Sequence, residues 1–363
     1  MRYFLRRRKL IADSRKPMAI FTGESNHLFT DFKQLSRLIL LIALGGLTIL
    51  FLLKLGDVDI SYNTLRRLKP GYLALAILIH YSGFAVRGLR WQALLAALGY
   101  RLSFLYVTAL LLAGWFISAL VPARLGDVAR AAILKRDHDA GLAQGFASIA
   151  TERALDISAI LLLTVIAAIW ALPGRVPPQV WQVIGGGIII MGIALAILIA
   201  IPKLQTPLSN LFPHPLYRKS IGFGFELLAS IRRVGQSPGL LLLVFAQSLY
   251  IWLCDVFLMY FIFLSLGQAV PLSITAFTSM VVDLAAAVPI MPGAVLQFEG
   301  TALGVLNLFR IEAGQSSLMI ILNRFISFWT FIVFSGVVTY LFGFTQAVNP
   351  DALKQQQALP QNN

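Results

Sequence analysis

Pro122-Ala123-Arg124-Leu125-Gly126-Asp127-Val128-Ala129-Arg130 interrupts a long apolar stretch. A counterpart, Pro289-Ile290-Met291-Pro292-Gly293-Ala294-Val295-Leu296-Gln297-Phe298-Glu299, interrupts another later in the chain. Each follows a run rich in small apolar residues, and each precedes an arginine inside a further apolar run, in Glu152-Arg153 and Asn323-Arg324. The spacing agrees at four landmarks. Gly99 to Gly267 is 168 residues, Ser103 to Ser273 and Pro122 to Pro292 are each 170, and Arg153 to Arg324 is 171. Taken singly, each motif is no more than an ordinary Pro-broken helix. The near-constant offset predicts an internal repeat, and duplicated halves broken at matching positions predict a site between them.

Composition sets the class. The chain has 363 residues, 58% of them hydrophobic, and a mean hydropathy of +0.78, against ~45–50% apolar for soluble domains. It is expected to be an integral membrane protein. The net charge of +14 lies mostly in the N-terminal tail and between apolar runs. That is where positive residues hold loops in the cytoplasm, so no nucleic-acid partner is expected. The single cysteine, Cys254, excludes an intramolecular disulfide, and His27, His80, His138 and His214 lack ligand spacing. Neither a metal nor another cofactor is expected. The chain carries no Ser/His/Asp set, HExxH, Walker loop or Rossmann glycine pattern, so the expectation is that it is not an enzyme. Gly185-Gly186-Gly187 falls in an apolar run and suggests close helix packing.

The predicted fold class is all-α, a polytopic membrane helix bundle. Six full spans are expected at about 38–55, 71–90, 147–170, 181–201, 239–266 and 317–343, each near the ~20 apolar residues a span needs. Two further apolar segments, 104–121 and 272–291, end in the Pro-rich breaks. The segments after the breaks are too polar to span freely: Asp127, Arg130 and Lys135 come after the first, Gln297, Glu299 and Asn307 after the second. Irregular backbone at membrane depth needs protein or a wet cavity around it, which predicts two re-entrant hairpins. Arg101, Arg136 and the basic 202–238 segment lie on one side of this layout, and 171–180 and 267–271 hold only Arg175 on the other. Arg66, Arg67 and Lys69 are an exception without an explanation. Three spans between the hairpins make the repeat inverted.

The expected domains are a basic cytoplasmic arm, 1–37, a transmembrane domain, 38–345, with repeat halves about 71–172 and 239–345, and a polar tail, 346–363. Both termini are placed in the cytoplasm, in an inner or plasma membrane. No adequate apolar run comes after Arg6-Arg7-Arg8-Lys9, so a cleaved leader is not expected. Segment 220–237 is either an amphipathic helix on the inner surface or a plain connector.

Ionisable groups at mid-membrane cost ~2.5–3.5 kcal/mol or more, so they are seldom kept without a use. The first candidate cluster is Arg124, Asp127, Arg130, Glu152, Arg153 and Asp156. Glu152 and Asp156 share a helix face. A guanidinium clamps phosphate bidentately and stays charged, which points to Arg124 and Arg153 as phosphate ligands. The alternative is internal ion pairing, Arg124 with Asp127 and Arg130 with Glu152. The second cluster is Asp283, Gln297, Glu299, Asn323 and Arg324, either a neutralised triad of Asp283, Glu299 and Arg324 or the far half of a headgroup path. Arg90-Trp91 is expected to be an interfacial anchor. Asp255 is expected to pair with an arginine of another span.

The Pro122–Arg130 motif, Glu152-Arg153-Ala154-Leu155-Asp156, Pro292-Gly293 leading to Glu299, and Arg324 before an aromatic-rich span resemble the lysylphosphatidylglycerol synthase transmembrane-region family over about residues 35–345. Where that family has a Gly-Gly-Leu-Gly-like run before its glutamate, this chain has Gly293-Ala294-Val295-Leu296-Gln297. The resemblance implies lipid handling without the soluble aminoacyl-transferring domain. The expected function is that of a lipid flippase binding a phospholipid or polyprenyl-phosphate headgroup in an intramembrane cavity. The expected site residues are Arg124, Asp127, Arg130, Glu152, Arg153, Asp156, Glu299 and Arg324. The alternatives are a non-transporting accessory that presents lipid to a lipid- or glycan-synthesis enzyme, and, less favoured, a lipid-modifying enzyme using Glu152 and Asp156.

Overall fold

The computed structural model describes residues 32–56, 68–120, 125–173, 215–287 and 292–344, with short pieces between 181 and 200. The first hairpin tip with Arg124, most of the second at Pro289–Pro292, most of the 1–37 arm, most of the 181–201 span and the tail after 344 lie outside the described residues. Chain contacts divide it into Met1–Leu40 and Leu41–Asn363; the charged interior side chains all belong to the second unit.

All regular elements among the described residues are helices. They are α1 (Phe32–Leu55), α2 (Pro70–Ala97), α3 (Phe104–Leu120), α4 (Leu125–His138), α5 (Leu142–Ala171), α6 (Pro215–Gly235), α7 (Pro238–Ser265), α8 (Leu272–Ala286), α9 (Gln297–Leu308), α10 (Ala313–Arg324) and α11 (Thr330–Leu341). A π-turn, Phe325–Trp329, joins the last two. Four helices, Pro70–Ala97, Leu142–Ala171, Pro238–Ser265 and Ala313–Leu341, are long and apolar enough to cross a membrane. At ~1.5 Å per residue each exceeds the ~30 Å hydrocarbon core. Ala43–Leu55, Phe104–Ala119 and Leu272–Ala286 are shorter apolar helices. Of segment 220–237, residues 220–235 fall within helix α6, whose Val234 is buried with Leu94, Leu98 and Val244. Leu78, Leu105, Leu242 and Val333 point outward, each about two-thirds exposed or more, while arginines and carboxylates lie inside. That is the reverse of a water-soluble surface.

Element order and length recur along the chain. α2 and α7 are both 28 residues long, and both start at a Pro-Gly pair. Proline at the first helical position is preorganised for the turn. Both end in the same left-handed cap. Gly99 N–H donates to Ala96 O and Tyr100 N–H to Leu95 O, and Gly267 N–H donates to Leu264 O and Gln268 N–H to Phe263 O. Gly99 and Gly267 have φ of 101° and 76°, which glycine adopts without a Cβ clash. Each long helix is followed by a shorter apolar helix, a break, a short polar-faced helix and a second long helix. The short helices α4 and α9 are each followed by a left-handed residue, Asp139 and Arg310.

α2 and α7 pack antiparallel. Lys69 N–H at the start of one donates to Ser265 O at the end of the other, 2.8 Å. Leu94 and Leu98, at the opposite end of α2, share a cluster with Val244 and Leu240 near the start of α7. Midway, Ser82 Oγ and Tyr250 Oη are 2.8 Å apart.

Candidate functional site

Two charged centres lie just beyond the two breaks. In the first, α3 and α4 come together over glycine. A Cβ on Gly126 would strike the Gly114 carbonyl, and one on Gly114 would strike the Arg130 side chain. Gly126 N–H donates to Ser118 Oγ at 3.2 Å, meeting a donor that the start of α4 leaves unpaired. This contact sets Asp127 and Arg130 against α5. Arg130 Nη2 donates to Glu152 Oε2 at 2.9 Å and Nη1 to Asp127 Oδ1 at 3.3 Å. Its guanidinium lies 3.9 Å from the centre of the Trp91 ring, whose Nε1–H donates to Ser148 Oγ. Arg90, from α2, reaches the same acids from the other side. Its Nη2 donates to Glu152 Oε1 at 3.0 Å, and its Nη1 and Nη2 donate to the two oxygens of Asp156. Ser248 and Trp252 of α7 complete the shell around Arg90 and Asp156. Arg130 and Glu152 are fully buried. Three arginines and three acids therefore form one neutral network across α2, α4, α5 and α7. Its outer member is Arg153, whose Nη2 donates to both oxygens of Asp127 at 3.2 and 3.3 Å while the side chain stays 30% exposed.

The second centre is smaller. The backbone between α8 and α9 is left-handed at Gly293, Ala294 and Leu296. Gln297 Nε2 donates to Ala285 O, tying the two arms together. α9 then places Glu299 as its third residue, the position Asp127 holds in α4. Arg324 Nε donates to Glu299 Oε1 at 2.7 Å and its Nη2 to Gly293 O at 2.9 Å. The guanidinium sits between Phe298 and Phe328, 4.8 and 4.6 Å from their ring centres. Its Nη1 has no protein partner among the described residues, and Glu299 Oε2 is buried without one. The π-turn starts directly after Arg324 and carries Phe328 and Trp329, a local widening of the helix that is common at functional sites. Glu299, Arg324, Phe328 and Trp329, with Gly45, Thr48, Ile49, Leu52, Val295 and Ile321, line a small pocket.

Of the eight expected site residues, Asp127, Arg130, Glu152, Arg153 and Asp156 meet in the first centre, and Glu299 and Arg324 meet in the second. The eighth, Arg124, lies outside the described residues. The Arg130–Glu152 pair weighed from the sequence is present, whereas the described partners of Asp127 are Arg130 and Arg153. Asp283 is not part of a triad with Glu299 and Arg324; its described hydrogen-bond partner is Ser279 Oγ, 3.4 Å. The anchor reading of Arg90-Trp91 is overturned. α2 runs on to Ala97, and both side chains are almost wholly buried. Asp255 pairs across helices as expected, with Arg87 at 3.6 Å, and also with His80 at 3.1 Å. Arg90 is the principal member missed. His80, Phe84, Arg87 and Trp91 recur at i, i+4, i+7 and i+11, which is one face of a helix. That stripe was the available signal that α2 turns its cations inward.

A family model described as the lysylphosphatidylglycerol synthase TM region matches residues 38–335. The chain belongs to this family. A UPF0104 membrane protein of Methanocaldococcus jannaschii is 28% identical over 226 residues, covering 62% of this chain and 94% of that one. A second UPF0104 membrane protein, from Pyrococcus horikoshii, is 24% identical over 327 residues, covering 82% of this chain and 95% of that one. The glycosyltransferase AglD of Haloferax volcanii is 32% identical over 103 residues, 28% of this chain and 15% of that protein. No solved structure matches this lysylphosphatidylglycerol synthase transmembrane-region protein.

Proposed function

We propose that the protein binds the phosphate of a lipid headgroup inside the membrane and moves that lipid between leaflets, as a flippase. The observation that carries the reading is the Glu299–Arg324 pocket. It offers one guanidinium nitrogen without a partner among the described residues, beside a wall of Ile49, Leu52, Val295, Ile321 and aromatic rings. A phosphate wants the donor, and an acyl or prenyl chain wants the wall.

Alternating access would come from an inverted repeat. Support for the inversion comes from the antiparallel packing of the matched helices α2 and α7. Further support comes from the matched pairs Asp127–Arg153 and Glu299–Arg324, each an acid on the short helix after a break and an arginine on the next long helix. The two re-entrant breaks would then open toward opposite faces.

The test uses vesicles carrying a short-chain fluorescent phosphatidylglycerol, with leaflet accessibility read by chemical quenching. Wild type is expected to equalise the leaflets faster than empty vesicles. Arg324→Lys, which keeps the charge and loses the planar fork and ring stacking, is expected to slow it sharply. Wild-type vesicles no faster than empty ones would remove the flippase reading. The partial likeness to AglD favours a second reading, a lipid-presenting accessory to a glycan-synthesis enzyme. That reading predicts tight lipid binding, no leaflet exchange and co-purification with a glycosyltransferase.

A further inference from the structure

Each carboxylate of the first centre has both oxygens engaged. Glu152 accepts from Arg90 at Oε1 and from Arg130 at Oε2. Asp156 accepts from Arg90 at both oxygens, and Asp127 from Arg130 and Arg153. Glu299 departs from this pattern. Its Oε1 accepts from Arg324 Nε at 2.7 Å. Its Oε2 is buried without a partner, the one carboxylate oxygen so placed among the described residues. A buried acceptor left unpaired is costly, and in a native structure it asks for an explanation. Glu299 is 5% exposed. Among the described residues that carry such an unpartnered buried atom, it is the one that lines the pocket.

The backbone of the second break accounts for the open oxygen. A guanidinium can meet a carboxylate side-on, two nitrogens to two oxygens. Arg324 instead turns Nη2 to Gly293 O, 2.9 Å away. Gly293 has a φ of 63°, and a Cβ on it would overlap the Phe328 ring, so glycine lets the chain pass this close. Phe298 and Phe328 flank the guanidinium and limit its rotation. The pair is therefore joined through one bond. Each partner keeps one polar atom, a donor at Arg324 Nη1 and an acceptor at Glu299 Oε2. Thr48 of α1, which also lines the pocket, donates its hydroxyl to Leu44 O of its own helix.

With a phosphate on Arg324, the acceptor beside it calls for a donor from the same ligand. The geometry points to Glu299 Oε2 as the site that reads this donor: the lipid selected carries a hydroxyl or an ammonium N–H beyond its phosphate. A phosphate diester without one offers only acceptors and leaves Oε2 unpaired. A site built to pair with a ligand's donor rejects the analogue that lacks it, because the buried acceptor then has nothing to bond. A lipid fits better than a free headgroup. α1 lines the pocket with Gly45, Thr48, Ile49 and Leu52 and turns Leu47, Leu50 and Phe51 outward, each more than half exposed. One apolar helix thus separates the pocket from the outer, lipid-facing surface. This inference rests on the phosphate reading of Arg324; it does not need the lipid to change leaflet.

The test is displacement of a short-chain fluorescent phosphatidylglycerol from the full-length protein in detergent. Two lipid pairs are matched in charge and differ in the donor. Phosphatidylmethanol lacks the headgroup hydroxyls of phosphatidylglycerol, and phosphatidylcholine lacks the N–H groups of phosphatidylethanolamine. In at least one pair, wild type should bind the donor-bearing lipid about tenfold better or more, the worth of a hydrogen bond to a charged group. Preference in the first pair alone assigns a hydroxyl, and in the second alone an ammonium. Equal displacement within both pairs overturns the donor site; a water molecule on Oε2 would give that result. Glu299→Gln, with its carbonyl on Arg324, places an amide donor where Oε2 was. It should abolish the preference by weakening the donor-bearing lipid, whereas an equal loss for both members of a pair would assign Glu299 a structural role and overturn the site. Glycerophosphoglycerol, the same headgroup without tails, should displace far less; equal displacement overturns the lipid as the source. Arg324→Lys should weaken both members of each pair alike. If it weakens neither and the preference persists, the phosphate reading fails and the donor site stands. Binding of none of these lipids removes the headgroup reading and the donor site with it.

Discussion

Asp127–Arg153 and Glu299–Arg324 hold matching places in the two halves, but their surroundings differ. Asp127 is shared by two arginines, and its neighbours Glu152 and Asp156 are held from the far side by Arg90. Glu299 has Arg324 as its charged partner, in a pocket with apolar and aromatic walls. The first centre spreads its charge over three helices, and Arg90, Arg130, Asp127 and Glu152 each have two charged partners. The second ties α9 to α10 through one ion pair and one backbone carbonyl, with one guanidinium nitrogen left over. A buried ion pair is weak evidence for stability in itself. A network whose acids are shared between arginines is suited to holding helices together, and a single ion pair beside a cavity is suited to exchanging partners with a ligand. On the flippase reading, the first centre would hold helices together and the second would meet the lipid.

The largest effect should come from the first network. Arg90→Met is expected to leave Glu152 and Asp156 undercompensated in the interior, costing about 3–5 kcal/mol. Thermal unfolding in detergent would measure it, and Glu152→Gln with Asp156→Asn added should recover part of the loss. If Arg90→Met unfolds no more readily than wild type, the first centre is not the structural one.

Next is Glu299→Gln, which removes the charge partner of Arg324 and keeps its shape. Lipid exchange should fall by about tenfold or more, the worth of a charged hydrogen bond of ~1.5–3 kcal/mol, with a smaller loss of thermal stability than Arg90→Met causes. A stability loss as large as that of Arg90→Met would erase the contrast between the halves.

A smaller effect is expected in the backbone of the second break. Left-handed backbone costs an L-residue roughly 1–2 kcal/mol, and Ala294 and Leu296 both adopt it. Ala294→Gly should raise thermal stability by up to about 1 kcal/mol once the added flexibility of glycine is subtracted. Unchanged or lower stability would mean that the strain is relieved elsewhere.

How far the sequence foretold this is clearest at these same places. Pro and Gly are strong local punctuation, so both breaks and the helices flanking them were legible, and with them seven of the eight expected site residues that the two centres contain. The Gly-Ala-Val-Leu departure from the family run was visible, but not its consequence, because φ at Ala294 and Leu296 is set by how α8 and α9 pack. Arg90 was read as an anchor because the apolar run fades near residue 90. The helix goes on for seven more residues, and its burial depends on acids 62 and 66 positions away. The Arg87–Asp255 contact is likewise tertiary. Only the stripe of polar and aromatic residues along α2 hinted at it.

The finest test compares the two matched pairs directly by double-mutant cycles, which isolate the coupling between side chains from their other interactions. For Asp127→Asn and Arg153→Gln the coupling in thermal stability should be small, under about 1 kcal/mol, as for partly exposed ion pairs. Arg153 is 30% exposed, and Asp127 keeps Arg130 when Arg153 is lost. For Glu299→Gln and Arg324→Gln the coupling should be larger, because the side chains are 6% and 11% exposed and no other charged partner substitutes among the described residues. The same cycles run on lipid exchange should reverse nothing: the second pair should again couple more strongly. Equal couplings in both readouts would mean that the surrounding network does not distinguish the halves, and the division between a holding centre and an exchanging one would have to be given up.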